Sequence, residues 1–209
     1  MTDENNYANI KQLKKYNYII FFDCEYTCWE NSISTLWSDP NYPSEIIQFG
    51  LIIYDVKQKM IASSYQSFIK PYINIILSDY CKKLLKFSQK SINSSPSFGE
   101  IAKIIYEIVN IYSKKKLFIC SWGDDYNRIS LNAKINNTID PFSNCKRLDL
   151  MKEFNKTLKL NSFISSREQV KDLISYETKI NRHNALDDSI ELIDLFTILL
   201  KLNKDDGFL

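Results

Sequence analysis

One stretch, "FFDCEYTCWE" at residues 21–30, together with the "YNYII" that leads into it, limits the fold of this chain more than any other. Aromatic and β-branched residues in an unbroken apolar run favour a strand buried on both faces. Side chains alternate along a strand, so Asp23 and Glu25 project from the same face, directly beyond Ile19 and Phe21. Two like charges side by side repel each other and are costly to remove from water. A fold that keeps them there must bring a cation, or a cation-binding partner, to that end of the strand.

The rest of the chain can supply such a setting. At 209 residues, 44% apolar and 13% aromatic, it is long and hydrophobic enough for one domain with a substantial core. A formal charge of +2 gives no global nucleic-acid signal, although a local basic patch remains compatible with it. Five scattered cysteines without a C-x-x-C pair, and a single histidine, argue against a disulfide framework or a structural zinc site. Residues 1–16 read as a polar leader without the apolar core of a signal peptide, and "YIIFF" is too short to span a bilayer. The expectation is a soluble, reduced, cytoplasmic protein without membrane contact.

Residues 17–203 read as a single domain followed by a short tail, 204–209. Strand signals fall at 17–23, 46–54 and 65–70, with a Pro-containing loop between the first two. Ser78 is placed to cap a short helix, and "SINSSPSFGE" has loop chemistry. A helix with period 3.6 follows from Phe98. "KKKLFICSW" reads as a second buried strand, with Lys114–Lys116 as a solvated lead-in, and "DDYNRISLNAKI" as a helix with acids at its start. "CKRLDLMKEFNKTL" gives a short strand running into a helix. "SSREQVKDLI" gives a helix capped by Ser165 or Ser166, and "HNALDDSIELIDLFTILLKL" a long closing helix. Strands first, then alternating helix and strand, indicate an α/β fold with helices packed on a mixed sheet.

Two further acid clusters echo the first. In the closing helix Asp188 shares a face with Leu192 and Leu195, so its carboxylate points toward the core. The "SWGDDYN" run ends a buried strand in acids, at the edge where open α/β sheets place ligands. Taken singly, each cluster is equally consistent with acids favoured at a helix start. Taken together, they bring carboxylates from three elements toward one place. Such a nest suits hard cations with all-oxygen ligation, Mg²⁺ or Mn²⁺. Two ions about 4 Å apart can clamp the attacking and leaving oxygens of a phosphodiester. A nearby imidazole, His183, can take the proton of an attacking water.

These residues resemble a known family. D-x-E on the first strand, a later Asp, and H-x-x-x-x-D near the C-terminus form the signature of the DEDDh 3′–5′ exonucleases. "FFDCEYTCWEN", "EIIQFGLIIYD", "FIKPYINIILSDYCKKLLKFSQKSI" and "RHNALDDS" are similar, in order and spacing, to the Eri-type subgroup of histone-mRNA and small-RNA exonucleases. The likeness covers roughly residues 17–200. It implies an RNase H-like fold, a mixed five-stranded sheet flanked by helices. It also implies that Asp23, Glu25, Asp125 and Asp188 hold two Mg²⁺ (or Mn²⁺), with His183 as general base releasing nucleoside 5′-monophosphates. Tyr26 and Thr27 would lie against the terminal nucleotide, and Tyr80 and Trp122 against its base, although core packing accounts for these two aromatics equally well. Trp29 and Trp37 read as core.

The "SWGDDYN" run admits three registers. Asp125 keeps an apolar residue, Ile129, four positions on; Asp124 is second choice; matching the tyrosine instead puts Asn127 at the acid's position. "LLKFSQ" and "TKIN" each lack a glycine usual in the family. The partner expected from the resemblance is the 3′ end of a single-stranded nucleic acid, RNA over DNA, bound by a monomer or weak oligomer. The alternatives are an exonuclease for single-stranded DNA or short oligonucleotides, and a non-catalytic nucleic-acid-binding regulatory module.

Overall fold

The computed structural model describes residues 13, 15–113, 116–177 and 183–203. Most of the expected leader, the tail, most of the Lys114–Lys116 lead-in and the "TKIN" stretch lie outside the described residues; of the leader, Leu13 is buried in the core and Tyr16 packs against it. Five strands form one mixed sheet: β1 (Tyr18–Tyr26), β2 (Ile46–Asp55), β3 (Met60–Phe68), β4 (Leu117–Ser121) and β5 (Lys146–Asp149). Their spatial order is β3-β2-β1-β4-β5. The first three strands pair antiparallel, whereas β4 lies parallel to β1 and β5 parallel to β4. The connections to parallel strands carry helices: α1 (Asp79–Leu85), α2 (Gln89–Asn93) and α3 (Phe98–Ser113) before β4, and α4 (Asp125–Ile135) before β5. Then α5 (Leu150–Leu158), α6 (Arg167–Ile174) and α7 (Ala185–Leu202) close the chain.

Alternation along β1 divides the core into two layers. Ile20, Phe22 and Cys24 face α3 and α4, packing with Ile101, Ile105 and Ile129. Ile19 and Phe21 face the other way, onto Leu192, Leu195 and Phe196 of α7 and Phe154 of α5. Continuing that second row, Asp23 and Glu25 emerge on the α7 side, as period-two alternation requires. All five cysteines are free and buried. Among the described residues no helix is long and apolar enough to cross a membrane.

Two local readings shift, and one is narrowed. β3 begins at Met60, ahead of the expected 65–70; its residues are mostly exposed on this edge of the sheet, so no apolar alternation announces it. The "QKSIN" segment, partly inside a stretch with loop chemistry, forms a one-turn helix because the Ser88 hydroxyl accepts from the Ser91 backbone N–H. Of the two candidate caps for α6, Ser166 is used, in a capping box with Gln169. Ser78 caps α1 as expected.

The docking of α7 on β2 controls the acid cluster. Gln48 Oε1 accepts from Ala185 N at 2.9 Å, and Ser189 Oγ donates to Gly50 O at 3.0 Å. Asn184 caps α7, and its side chain accepts in turn from Gln66 at 2.8 Å. Gly50 pairs with Asp23 in the sheet. A Cβ at Gly50 would stand 2.3 Å from the Ala185 carbonyl carbon and 2.4 Å from Leu186 N. Only glycine lets the first turn of α7 approach this closely to the strand beside Asp23.

Gly50→Ala should therefore lift the start of α7 from the sheet. The clash is with backbone, which cannot rotate away, so a loss at or above the usual overpacking range of about 1–3 kcal/mol is expected in urea denaturation. An unchanged midpoint would contradict this docking.

Candidate metal centre

The carboxylates converge because three elements end together. β1 delivers Asp23 and Glu25; α7 delivers Asp188 from its first turn; α4 begins at Asp125, just beyond the C-terminal end of β4, whose Cys120 pairs with Phe21. Oxygens of Asp23, Glu25 and Asp188 lie within 4.8 Å of one another. Asp23 and Asp188 are only 6% and 3% exposed. Asp125 enters from the neighbouring helix, where its Oδ1 accepts the Tyr26 hydroxyl at 2.6 Å. A register shift in the β1–β2 ladder between Glu25 and Tyr26 precedes that contact.

The other positions in "SWGDDYN" point elsewhere. Asp124 is exposed and pairs with Arg128 at 3.3 Å, while Asn127 donates to Asp124. Asp125 is thus the member of this run whose charge is felt at Asp23 and Glu25.

Burial dominates the electrostatics. It pushes the carboxyl of Asp23 well above its ordinary value, opposed by Arg167 and reinforced by Asp125, Asp188 and Glu25. Glu25 rises to about 8, through burial and then the Asp188 charge. Asp125 rises to about 7 through burial, with the Tyr26 hydrogen bond pulling the other way. Asp188 is also raised by burial, against Arg167. Each group resists ionising beside its neighbours, the condition that a bound multivalent cation relieves. The donors are all hard oxygens, so the cluster is capable of binding divalent cations of the Mg²⁺ or Mn²⁺ type.

His183 stands at the rim, its side chain 45% exposed and its Nδ1 3.9 Å from Glu25 Oε1. It adopts a left-handed backbone conformation, φ 62°, as the chain turns into Asn184 and α7. The remaining expected residues serve partly as framework. Thr27 is 2% exposed; its hydroxyl donates to Pro43 O and accepts from Glu45 N. Tyr80 is half-buried against Cys28, Ile47, Leu77 and Cys81. Trp122 is also half-buried, donating from Nε1 to Ser165 O at 3.3 Å and packing on Phe154.

Three residues here escape a reading of the sequence. Arg167 reaches Asp23 Oδ1 and Asp188 Oδ1, each at 3.4 Å, and Glu191 Oε2 at 3.6 Å. Behind it, buried Lys171 pairs with buried Glu191 at 2.7 Å. Two signals were present. Arg167 is the first residue of α6, where the helix dipole disfavours a cation, and Glu191 falls on the apolar face of α7 between Asp188 and Leu195.

Comparison with known proteins agrees with a nuclease fold. The family model describing exonucleases of the RNase T type matches residues 20–196. The chain belongs to this family, the DEDDh, RNase H-like 3′–5′ exonucleases, and is closely related to its Eri-type members. It is 27% identical over 96 residues to 3′-5′ exonuclease eri1 of Schizosaccharomyces pombe, covering 46% of this chain and 30% of the yeast protein. It is 28% identical over 107 residues to human 3′-5′ exoribonuclease 1, covering 51% of this chain and 28% of the human protein. The aligned regions thus span under a third of these relatives. The fold is similar to the nuclease domain of 3′hExo, a DEDDh family member bound to rAMP, with TM-score 0.78, 21% identity, and coverage of 92% and 94% of the two chains.

The raised carboxyl groups make stability depend on pH. Glu25 moves from 4.5 to about 8 and Asp125 from 3.8 to about 7, so between those limits the folded state holds more protons than the unfolded state. Stability in chelator should therefore fall as pH rises from about 5 to about 8. Adding Mg²⁺ or Mn²⁺ should flatten that slope. Thermal melts at several pH values check this, and a slope indifferent to metal would contradict a cation-binding cluster.

Proposed function

We propose that this chain is a metal-dependent 3′–5′ exonuclease that shortens single-stranded nucleic acid from its 3′ end, RNA in preference to DNA, releasing nucleoside 5′-monophosphates. The observation that carries this reading is the convergence of Asp23, Glu25 and Asp188 oxygens within 4.8 Å, with His183 on the open rim. The preference for RNA follows the human and mouse relatives, which are named 3′-5′ exoribonuclease 1.

In this reading Asp23, Glu25, Asp125 and Asp188 hold two Mg²⁺ or Mn²⁺. Bound there, the cations supply charge neutralisation to a phosphodiester and its attacking water. His183 accepts the water's proton at its imidazole; its exposure at the rim gives that proton a path to solvent. Tyr26 fixes the rotamer of Asp125 through its 2.6 Å hydrogen bond. Trp122 and Tyr80, half-buried at the ends of β4 and in α1, present remaining ring surface on which a base of any identity can stack. Thr27 shapes the wall through buried bonds of its own, so its contribution to the terminal nucleotide is one of shape.

A 5′-labelled single-stranded RNA and its DNA counterpart, incubated with Mg²⁺ or Mn²⁺, should give a ladder shortened from the 3′ end, faster for RNA. No shortening of either would overturn the enzyme reading in favour of a binding module. Asp23→Asn should reduce cleavage to background, and His183→Ala should lower it by about 10²- to 10⁴-fold. Asp125→Asn should match Asp23→Asn, whereas Asp124→Asn should retain most activity. The reverse result would move the fourth ligand to Asp124.

A further inference from the structure

Arg167 occupies an unusual place for an arginine. It opens α6, where unpaired backbone N–H groups already present positive charge. Its side chain is 19% exposed and directed among acids: Asp23 and Asp188 at 3.4 Å and Glu191 at 3.6 Å. Nη1 also donates to the Asp188 backbone carbonyl at 3.3 Å. Burial alone would favour releasing its proton, but the surrounding carboxylates hold it charged beyond the ordinary arginine range.

The helix that carries it is held at its start and along its middle. The Ser166–Gln169 capping box closes its start, and Val170 enters the core between the sheet and α7. One turn on, Lys171 Nζ meets Glu191 Oε1 at 2.7 Å in a buried pair, and Glu168 at 3.1 Å on the outer side. Glu191 thus takes a cation on each carboxylate oxygen, Lys171 on Oε1 and Arg167 on Oε2. This arrangement gives the guanidinium a second resting place, away from Asp23 and Asp188.

The same two carboxylates supply ligand oxygens in the proposed metal centre. An oxygen bound to a guanidinium is not free for a metal, and a unit positive charge a few ångströms from a divalent ion is strongly repelled. We propose that Arg167 is a built-in competitor for the metal centre: it neutralises Asp23 and Asp188 from within the chain, and a divalent cation loads on that side only as the guanidinium withdraws toward Glu191. Arg167 thereby weakens metal affinity while keeping the acids compatible with the fold. This inference rests on the metal-centre reading above, and it concerns binding of the ion, not the chemical step.

Calorimetric titration of the full chain with Mn²⁺ at pH 8 tests it. Arg167→Met removes the charge and keeps the stem; Arg167→Gln removes the charge and keeps a donor for the Asp188 carbonyl; Arg167→Lys keeps the charge. Melts in chelator establish that each variant is folded, and whichever neutral variant folds serves for the comparison. Mn²⁺ should bind at least about tenfold more tightly to a neutral variant than to the wild type, with Arg167→Lys close to the wild type. A merely structural role predicts the opposite sign, since a loosened cage binds a metal less well. Equal or weaker binding by the neutral variants, or equal tightening in Arg167→Lys, overturns the inference while leaving the metal centre intact. No Mn²⁺ binding by any form overturns the metal-centre reading and the inference with it.

Discussion

The mutual repulsion of buried carboxylates at the end of β1 is the constraint around which this molecule is arranged. Asp23 and Glu25 occupy one face because a strand alternates, and that face is the one α7 covers. Moving them to solvent would take Ile19 and Phe21 with them, since a one-residue slip exchanges the two faces of the whole strand. The acids are therefore tied to the core register. What the fold can choose is their company, and it brings more acids, a histidine and the guanidinium of Arg167.

Each supporting contact makes sense in that light. Gly50 pairs with Asp23 and admits the first turn of α7, so the backbone that positions Asp188 is set by the residue beside the first of the acids. Gln48 and Ser189 anchor the same turn by hydrogen bonds to backbone. Tyr26, from the end of β1, reaches the head of α4 and holds Asp125. Three elements distant in sequence are locked to one strand end, so small errors in docking would be felt directly in the spacing of the oxygens. The parallel pairing of β1 with β4 places the start of α4 at the same sheet edge, the usual position for ligand sites in such sheets.

Much of this was legible in the sequence where the physics is local. The period-two acids of "FFDCEY", the face shared by Asp188, Leu192 and Leu195, and the caps at Ser78 and Ser166 each follow from one element's own geometry. The five-stranded mixed sheet was expected from the family resemblance and is the sheet observed. The edge strand β3 starts five residues ahead of its only sequence signal because exposed residues carry no hydrophobic period. The choice between Asp124 and Asp125 needed three dimensions: both suit a helix start, and only the position of Tyr26 and Arg128 separates them. Arg167 was invisible for the same reason. Its partners are 21, 24 and 144 residues away, and nothing in "SSREQVKDLI" names them.

The central claim is that Asp23, Glu25, Asp125 and Asp188 form one centre for divalent cations. Anomalous diffraction from a crystal grown with Mn²⁺ tests it most directly, because the peaks locate the ions without reference to activity. The account predicts peaks at the end of β1 with oxygen ligands from Asp23, Glu25, Asp125 and Asp188. Peaks only at exposed acids such as Asp124, or none at the end of β1, would contradict it.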